Sequence, residues 1–380
     1  MIPFNRPHLT GREFEYIDKA VRSGQLSGNG AFTKACHARL ERQLGARRVL
    51  LTHSCTGALE MAALLLDLQP GDEVIVPSFT FVSTANAFVL RGAVPVFVDI
   101  RPDTLTLDAR LVERAITPRT RAIVPVHYAG VACDMDAIVE VASRHGLFVV
   151  EDAAQALGSA YRGRPLGSIG HLAAISFHET KNIMAGEGGA LVVNDERFYA
   201  RAEILWEKGT NRGGFFRGEV DRYTWVDVGS SFLPSEITAA FLLAQLEDEA
   251  DITRTRLELW DDYFARCERL STELGFIRRP SVPDACRHNA HMFYVLLSPG
   301  IDRAAVLAAI NARGVNAVFH YVPLHSSPAG RRFGRVATSM EATDDVASRL
   351  IRLPLWVGMD ANAPSVVVEL LQDVLAMQPR

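Results

Sequence analysis

The stretch Leu147-Phe148-Val149-Val150-Glu151-Asp152-Ala153-Ala154-Gln155 passes from a wholly apolar, β-branched run into two acids and then small residues. A run that apolar fits a strand buried on both faces, as in a parallel sheet. It sets Asp152 at the strand's carboxyl end, where ligands gather in open α/β sheets. A carboxyl group there is partly buried and requires a cationic partner or a proton. Alone, Asp152 reads more simply as a helix N-cap.

Outward from this stretch the pattern repeats. Short apolar runs occur at 49–52, 73–77, 95–99, 122–127, 174–177 and 190–193. Helical periods lie between most of them, at 56–66, 83–91, 109–115 and 135–145. Alternation of this kind predicts an α/β domain with a mostly parallel sheet. Residues 235–274 predict long helices, followed by the proline-bearing stretch 279–283. A smaller α+β unit is then expected: strands 291–297 and 315–321, with helices 303–313, 343–352 and 365–377. The expected division is a large domain, 1–250, and a C-terminal small domain, 251–380. Gly209–Gly229, rich in Gly, Arg and aromatic residues, predicts a long loop, and such loops in compact domains are often functional.

The composition excludes several classes. In 380 residues, 40 Lys and Arg face 44 Asp and Glu, a net charge of -4, which argues against a nucleic-acid polymer as partner. Five scattered cysteines without a C-x-x-C pair argue against a disulfide framework or zinc site. No carboxylate or cysteine completes a ligand set around His288, His291, His320 or His325, so no metal is expected. No G-x-G-x-x-G follows a strand and no P-loop or G-x-S-x-G elbow occurs. Charges fill the place of a signal peptide's apolar core, and no run of ~18 apolar residues exists, so a soluble, cytoplasmic protein without membrane spans is expected.

Two further stretches carry chemistry. Leu51-Thr52-His53-Ser54-Cys55-Thr56-Gly57 ends a strand and opens a helix, where free N–H groups, hydroxyls and a positive dipole end make an anion site. Alone it is an ordinary Ser/Thr cap. Ser176-Phe177-His178-Glu179-Thr180-Lys181-Asn182 opens a loop bearing a lysine, followed by the glycine-rich turn 186–189. Alone, that lysine reads as a surface residue. Together the three stretches supply what pyridoxal phosphate (PLP) needs: a phosphate cradle, an acid for the ring nitrogen, and a lysine for the Schiff base.

At these residues the sequence resembles the DegT/DnrJ/EryC1/StrS sugar aminotransferases. The resemblance extends from Ile2-Pro3-Phe4-Asn5 to Leu353-Pro354-Leu355 and includes the blocks TFVSTANAFVLRGA, VPVHYAGVACDMD, EKGTNR and FHYVPLH. It implies a fold-type I, aspartate aminotransferase-like PLP-dependent transferase. Lys181 would be the catalytic residue, joined to the cofactor. Asp152 would pair with the ring nitrogen and Gln155 would lie near the phenolic oxygen. Thr56, Gly57 and Ser176 would hold the phosphate, and Phe81 would stack on the ring. Many members carry a Gly-Tyr-Asn-Tyr-Arg segment whose Asn reaches the partner subunit's cofactor phosphate. Here Gly229-Ser230-Ser231-Phe232-Leu233 stands in its place, leaving Ser231 as the candidate and the arginine absent.

The Gly-Ser-Ser departure resembles the subgroup that makes dTDP-4-amino-4,6-dideoxygalactose. The implied substrates are a dTDP-linked 4-keto-6-deoxy sugar and glutamate, with Asn211, Arg212, His320, Tyr321 and His325 as candidate contacts. A homodimer with shared sites is implied, the 209–229 loop being the candidate arm. The alternatives are another sugar-nucleotide aminotransferase, a sugar dehydratase, or a PLP-binding regulatory protein without turnover. Family dehydratases replace the lysine with histidine, so Lys181 argues against the second.

Overall fold

The apolar runs become the strands of one sheet. In the computed structural model, which describes residues 1–377, this sheet has eight strands. Their order across it is 48–52, 189–193, 172–176, 148–152, 120–123, 73–77, 94–98 and 335–336. Pairings from 172–176 outward to 335–336 are parallel, and 189–193 is antiparallel to both its neighbours. The sheet is mostly parallel, as expected. All residues of 73–77, 172–176 and 189–193 are buried, because helices cover both faces.

Side-chain alternation divides the core between those faces. Val49, Leu51, Ile75 and Val149 enter one apolar cluster, and Leu50, Val74, Val76 and Val150 enter the other. Helices Cys55–Leu65, Val82–Val89, Ala109–Ala115 and Met135–His145 follow strands, near the expected bounds. Helix Met135–His145 shows why it starts and stops where it does. Asp134 accepts from the Ala137 N–H at its start, and Gly146 ends it at φ 63°.

Helices Glu236–Glu247 and Glu249–Arg266 lead to a second, three-stranded antiparallel sheet of 277–278, 293–297 and 350–353. Its strands pack with Tyr263, Val306 and Leu371 in a cluster of their own. Two expectations fail here. Residues 315–321 form no strand; they make only bridges, Ile2 to Val315 and Val318 to Arg352. Tyr321, at φ 35°, breaks the extended run. The helix expected at 343–352 spans Glu341–Arg349, and Leu350–Leu353 is a strand. Pro354 favours extended backbone at Leu353, the last residue of that strand.

The 209–229 loop contains a short helix, Arg212–Phe216, and exposes Phe216, Tyr223, Trp225 and Val226. Among the described residues no helix is long and apolar enough to cross a membrane, and no group of side chains is set to hold a metal.

Candidate active site

The carboxyl ends of strands 48–52, 148–152 and 172–176 open on one cavity of about 460 Å³. It is roofed by segments of the second sheet and the loop before it. Of the sequence candidates, Thr56, Phe81, Asp152, Gln155, Ser176, Lys181, His320 and Tyr321 line it.

Asp152 is 5% exposed at the end of its strand. Its Oδ2 accepts from Thr84 Oγ1 at 2.7 Å and its Oδ1 from the Ala154 N–H at 3.1 Å. Thr80 bonds Thr84 at 2.7 Å, so the Thr84 proton is committed to Asp152. Its strand neighbour Glu151 points to the opposite face and locks the strand. Glu151 accepts from three N–H groups, of Gly167, Ile169 and Gly170, and from His127 Nε2. Burial alone would raise its pKa, but His127 and those amides outweigh burial and hold it low. Among the described residues Asp152 has no ion pair with any cation. A buried carboxylate with donors but no cation calls for a cationic ligand group before it.

Lys181 sits in the loop after strand 172–176, its N–H bonded to His178 O. Its Nζ makes no hydrogen bond or ion pair among the described residues. Burial lowers its pKa; Cys55 and Asp152 oppose that, and Arg352 adds to it. That shift makes the neutral amine, the nucleophilic form, easier to reach than in an ordinary lysine. Cys55 is no rival: burial, then Asp152, pushes its thiol well above the ordinary range.

Hydroxyls gather at the start of helix Cys55–Leu65. Thr56 Oγ1 meets Ser83 Oγ at 2.8 Å, and Ser176 Oγ lies on the same cavity. Ser54 Oγ caps the helix by accepting from the Gly57 N–H at 3.0 Å. The Gly57 amide is thus engaged, and first-turn amides such as those of Cys55 and Thr56 have no intrahelical acceptor. Gly189 keeps this corner open: a Cβ there would lie 2.4 Å from Cys55 N. The corner fits an anion.

The remaining candidates lie elsewhere in the single chain. Ser231 is exposed and bridges to Glu207. Asn211 is engaged within its own loop, bonding Arg222 O at 3.0 Å and Thr224 N at 2.7 Å. Arg212 lies 5.4 Å over the Phe216 ring. His325 Nδ1 meets Ser78 Oγ at 2.8 Å, behind the cavity wall.

Sequence reasoning missed several lining residues: Phe4, Ser83, Thr84, His291 and Arg352. It also missed a network that fixes the lysine loop. Asn182 Nδ2 donates to Asn289 O at 2.7 Å, and Asn182 Oδ1 meets His291 Nδ1 at 3.1 Å. Asn289 Nδ2 donates to the carbonyls of Gln155 and Leu157. Gln155 itself accepts from the Ala129 N–H and donates to Tyr321 OH at 2.9 Å. His320 stacks on Tyr321 with centroids 3.6 Å apart, and its Nδ1 meets Tyr128 OH at 2.7 Å. Burial, with Arg352 and Lys181, keeps His320 well below the usual histidine range, so its ring is neutral.

The arrangement fits a group with an anionic end, a protonated ring nitrogen and an amine-reactive carbon. A model of the DegT/DnrJ/EryC1/StrS aminotransferase family matches residues 7–372. The chain belongs to that family. It is 35% identical to GDP-perosamine synthase of Caulobacter vibrioides, over 97% of each chain. It is 32% identical to UDP-4-amino-4-deoxy-L-arabinose–oxoglutarate aminotransferase of Shewanella sediminis, over 98% of each. The structure of Spr1654 from Streptococcus pneumoniae in its PLP form superposes with a TM-score of 0.90 at 27% identity, covering 99% of this chain and 98% of that one. As a member of this family the chain is a PLP-dependent sugar aminotransferase, on an α/β fold with a mostly parallel sheet.

Proposed function

We propose that this family member moves an amino group from glutamate to C4 of a dTDP-linked 4-keto-6-deoxy sugar, giving the 4-amino-4,6-dideoxygalactose product. The observation that carries the reading is the buried, unpaired Lys181 amine in one cavity with the Asp152 carboxylate, which has no cationic partner among the described residues. The two relatives named above carry GDP and UDP in their names. The dTDP assignment rests instead on this chain's sequence blocks and its Gly-Ser-Ser.

Lys181 Nζ would hold PLP covalently, Asp152 would pair with its ring nitrogen, and Thr56, Ser83, Ser176 and the helix end would take its phosphate. Gln155 and Phe81 border the ring. Bound PLP stores the electron pair released when a C–H bond at the reacting carbon breaks. Once released, Lys181 Nζ accepts the α-proton of glutamate and later delivers a proton to C4 of the sugar. Burial beside Arg352 keeps that amine neutral enough to act as a base. Thr84 keeps Asp152 oriented, and His320 and Tyr321 offer neutral polar contacts to the sugar. Residues 1–250 carry the cofactor groups, and 251–380 contribute the wall that closes on the substrate.

A homodimer completes the reading. The exposed side chains of Phe216, Tyr223, Trp225 and Val226 support an arm that a second copy covers, and would let Ser231, Asn211 and Arg212 serve the neighbouring site. The test is incubation with glutamate and dTDP-4-dehydro-6-deoxyglucose, with the product's C4 configuration read by NMR. An axial amine is expected. An equatorial amine, or turnover only with the GDP- or UDP-linked ketone, contradicts the substrate assignment.

A further inference from the structure

One histidine on the cavity wall is gripped from behind and keeps one ring nitrogen unengaged. His291 is 5% exposed, lies just before strand Phe293–Leu297, and lines the cavity together with Lys181. Two asparagine amides fix it, and backbone carbonyls fix the amides. Asn289 Nδ2 donates to the carbonyls of Gln155 and Leu157, so Asn289 Oδ1 is the atom that accepts from the His291 N–H at 3.0 Å. Asn182 Nδ2 donates to Asn289 O at 2.7 Å, so Asn182 Oδ1 is the atom that meets His291 Nδ1 at 3.1 Å. An amide oxygen only accepts, and Nδ1 must therefore carry the ring proton. The other nitrogen, Nε2, is left with its lone pair. Among the described residues it has no hydrogen bond.

The surroundings keep the ring in this state. Burial, and then Lys181, Arg256, Arg352 and His320, hold His291 well below the usual histidine range. A neutral ring with a fixed proton is a standing acceptor. Most of the donors near it are committed elsewhere. Arg256 donates to the carbonyls of Ala290 and His291. His320 Nδ1 meets Tyr128 OH, and the Arg352 guanidinium lies over the Phe4 ring at 4.6 Å. Lys181, one residue before Asn182, is different: its Nζ has no hydrogen bond or ion pair among the described residues. The charged groups acting on that amine are Cys55, Asp152 and Arg352, and Asp152 already accepts from Thr84 and Ala154. A buried amine without an acceptor and a buried acceptor without a donor thus share one cavity, and each is costly alone.

We propose that His291 is a positioning residue for Lys181: its Nε2 lone pair accepts a hydrogen from the free Lys181 amine and so aims the amine's own lone pair at the reacting carbon. The proposal rests on the aminotransferase reading above and goes beyond it by naming the group that steers the base. When Lys181 Nζ takes a proton from carbon, the bond to Nε2 is kept and strengthens with the charge on the ammonium. The proton goes back from Nζ to carbon, and His291 gains none.

Two variants separate this role from simple anchoring of the lysine loop. His291→Asn puts an amide nitrogen near the place of Nδ1, keeping the link to Asn182 and withdrawing the acceptor. His291→Gln puts an amide near the place of Nε2, keeping an acceptor at the expense of that link. In PLP-free protein the pH midpoint for acylation of Lys181, read by peptide mass spectrometry, should fall by about one unit in His291→Asn and stay near wild type in His291→Gln, because the ammonium loses its acceptor only in the first. In PLP-loaded protein, exchange of the glutamate α-proton with deuterium from solvent should slow by at least ~10-fold in His291→Asn and by less in His291→Gln. Nitrogen NMR of the histidine-labelled wild type, which needs no variant to fold, should show His291 protonated at Nδ1 and bare at Nε2 at neutral pH. An unmoved midpoint in His291→Asn, the reverse order of the two variants, or a proton on Nε2 would overturn the proposal. A wild type that leaves the glutamate α-proton in place would instead overturn the aminotransferase reading, while the midpoint and the NMR signal still report on His291.

Discussion

The two walls of the cavity are built on different principles. The wall from the large sheet carries Lys181, Asp152 and the 54–57 corner, and its polar groups are positioned by the protein itself. Thr80 holds Thr84, Thr84 holds Asp152, and Glu151 clamps the strand behind them. The facing wall carries His291, His320, Tyr321 and Arg352, and it is left incomplete. Tyr321 keeps a strained φ of 35°, and Arg352 Nε has no partner. On the proposed reading, the difference separates a pre-arranged chemical wall from a recognition wall whose hydrogen bonds substrate would complete.

If that division is right, the largest effects come from the chemical wall. Lys181→Ala should lose turnover by at least ~10⁴-fold, since both the covalent link and the proton transfers go with it. Coupled assays for 2-oxoglutarate release check this, and retained turnover would move the chemistry elsewhere. Asp152→Asn should cost about 10²–10³-fold in kcat through loss of the charge facing the ring nitrogen. A loss confined to KM would put Asp152 on the recognition side.

Thr84→Val tests the support behind Asp152. It leaves Oδ2 one donor short in a buried site, worth ~1–3 kcal/mol, or about 5–150-fold in rate or PLP affinity. Melting with and without PLP separates the two outcomes. A variant equal to the wild type in both would show that Asp152 needs no positioning.

The smallest expected effect couples the walls. Because the Lys181 pKa is lowered by burial and further by Arg352, the rate of PLP attachment should rise with pH and level off below the pH of an ordinary lysine. Arg352→Met should shift that midpoint upward. A midpoint at or above the ordinary lysine value in the wild type contradicts the neutral-amine account.

The chemical wall was legible in the sequence because its parts sit on contiguous strand–turn stretches. A parallel strand buried on both faces is a continuous apolar run, and the residues after it mark the ligand end. The supports behind the chemical wall and the whole recognition wall are assembled from distant contacts. Thr84 meets Asp152 across 68 residues, and Asn182 meets Asn289 across 107. Arg352 was hidden for a local reason: apolar spacing through 343–352 continues a helix on paper, while the chain becomes a strand at Leu350. The cue was Pro354. Asn211 bonds within its own loop and His325 bonds Ser78, so within the single chain neither lines the cavity.

The most direct test adds glutamate alone to the PLP-loaded protein and follows the visible absorption of the lysine-bound cofactor. The account predicts loss of that absorption with release of one 2-oxoglutarate per site, and its return when a keto sugar nucleotide is added. An absorption that glutamate leaves unchanged would contradict it, and would favour a protein that binds PLP without turning over.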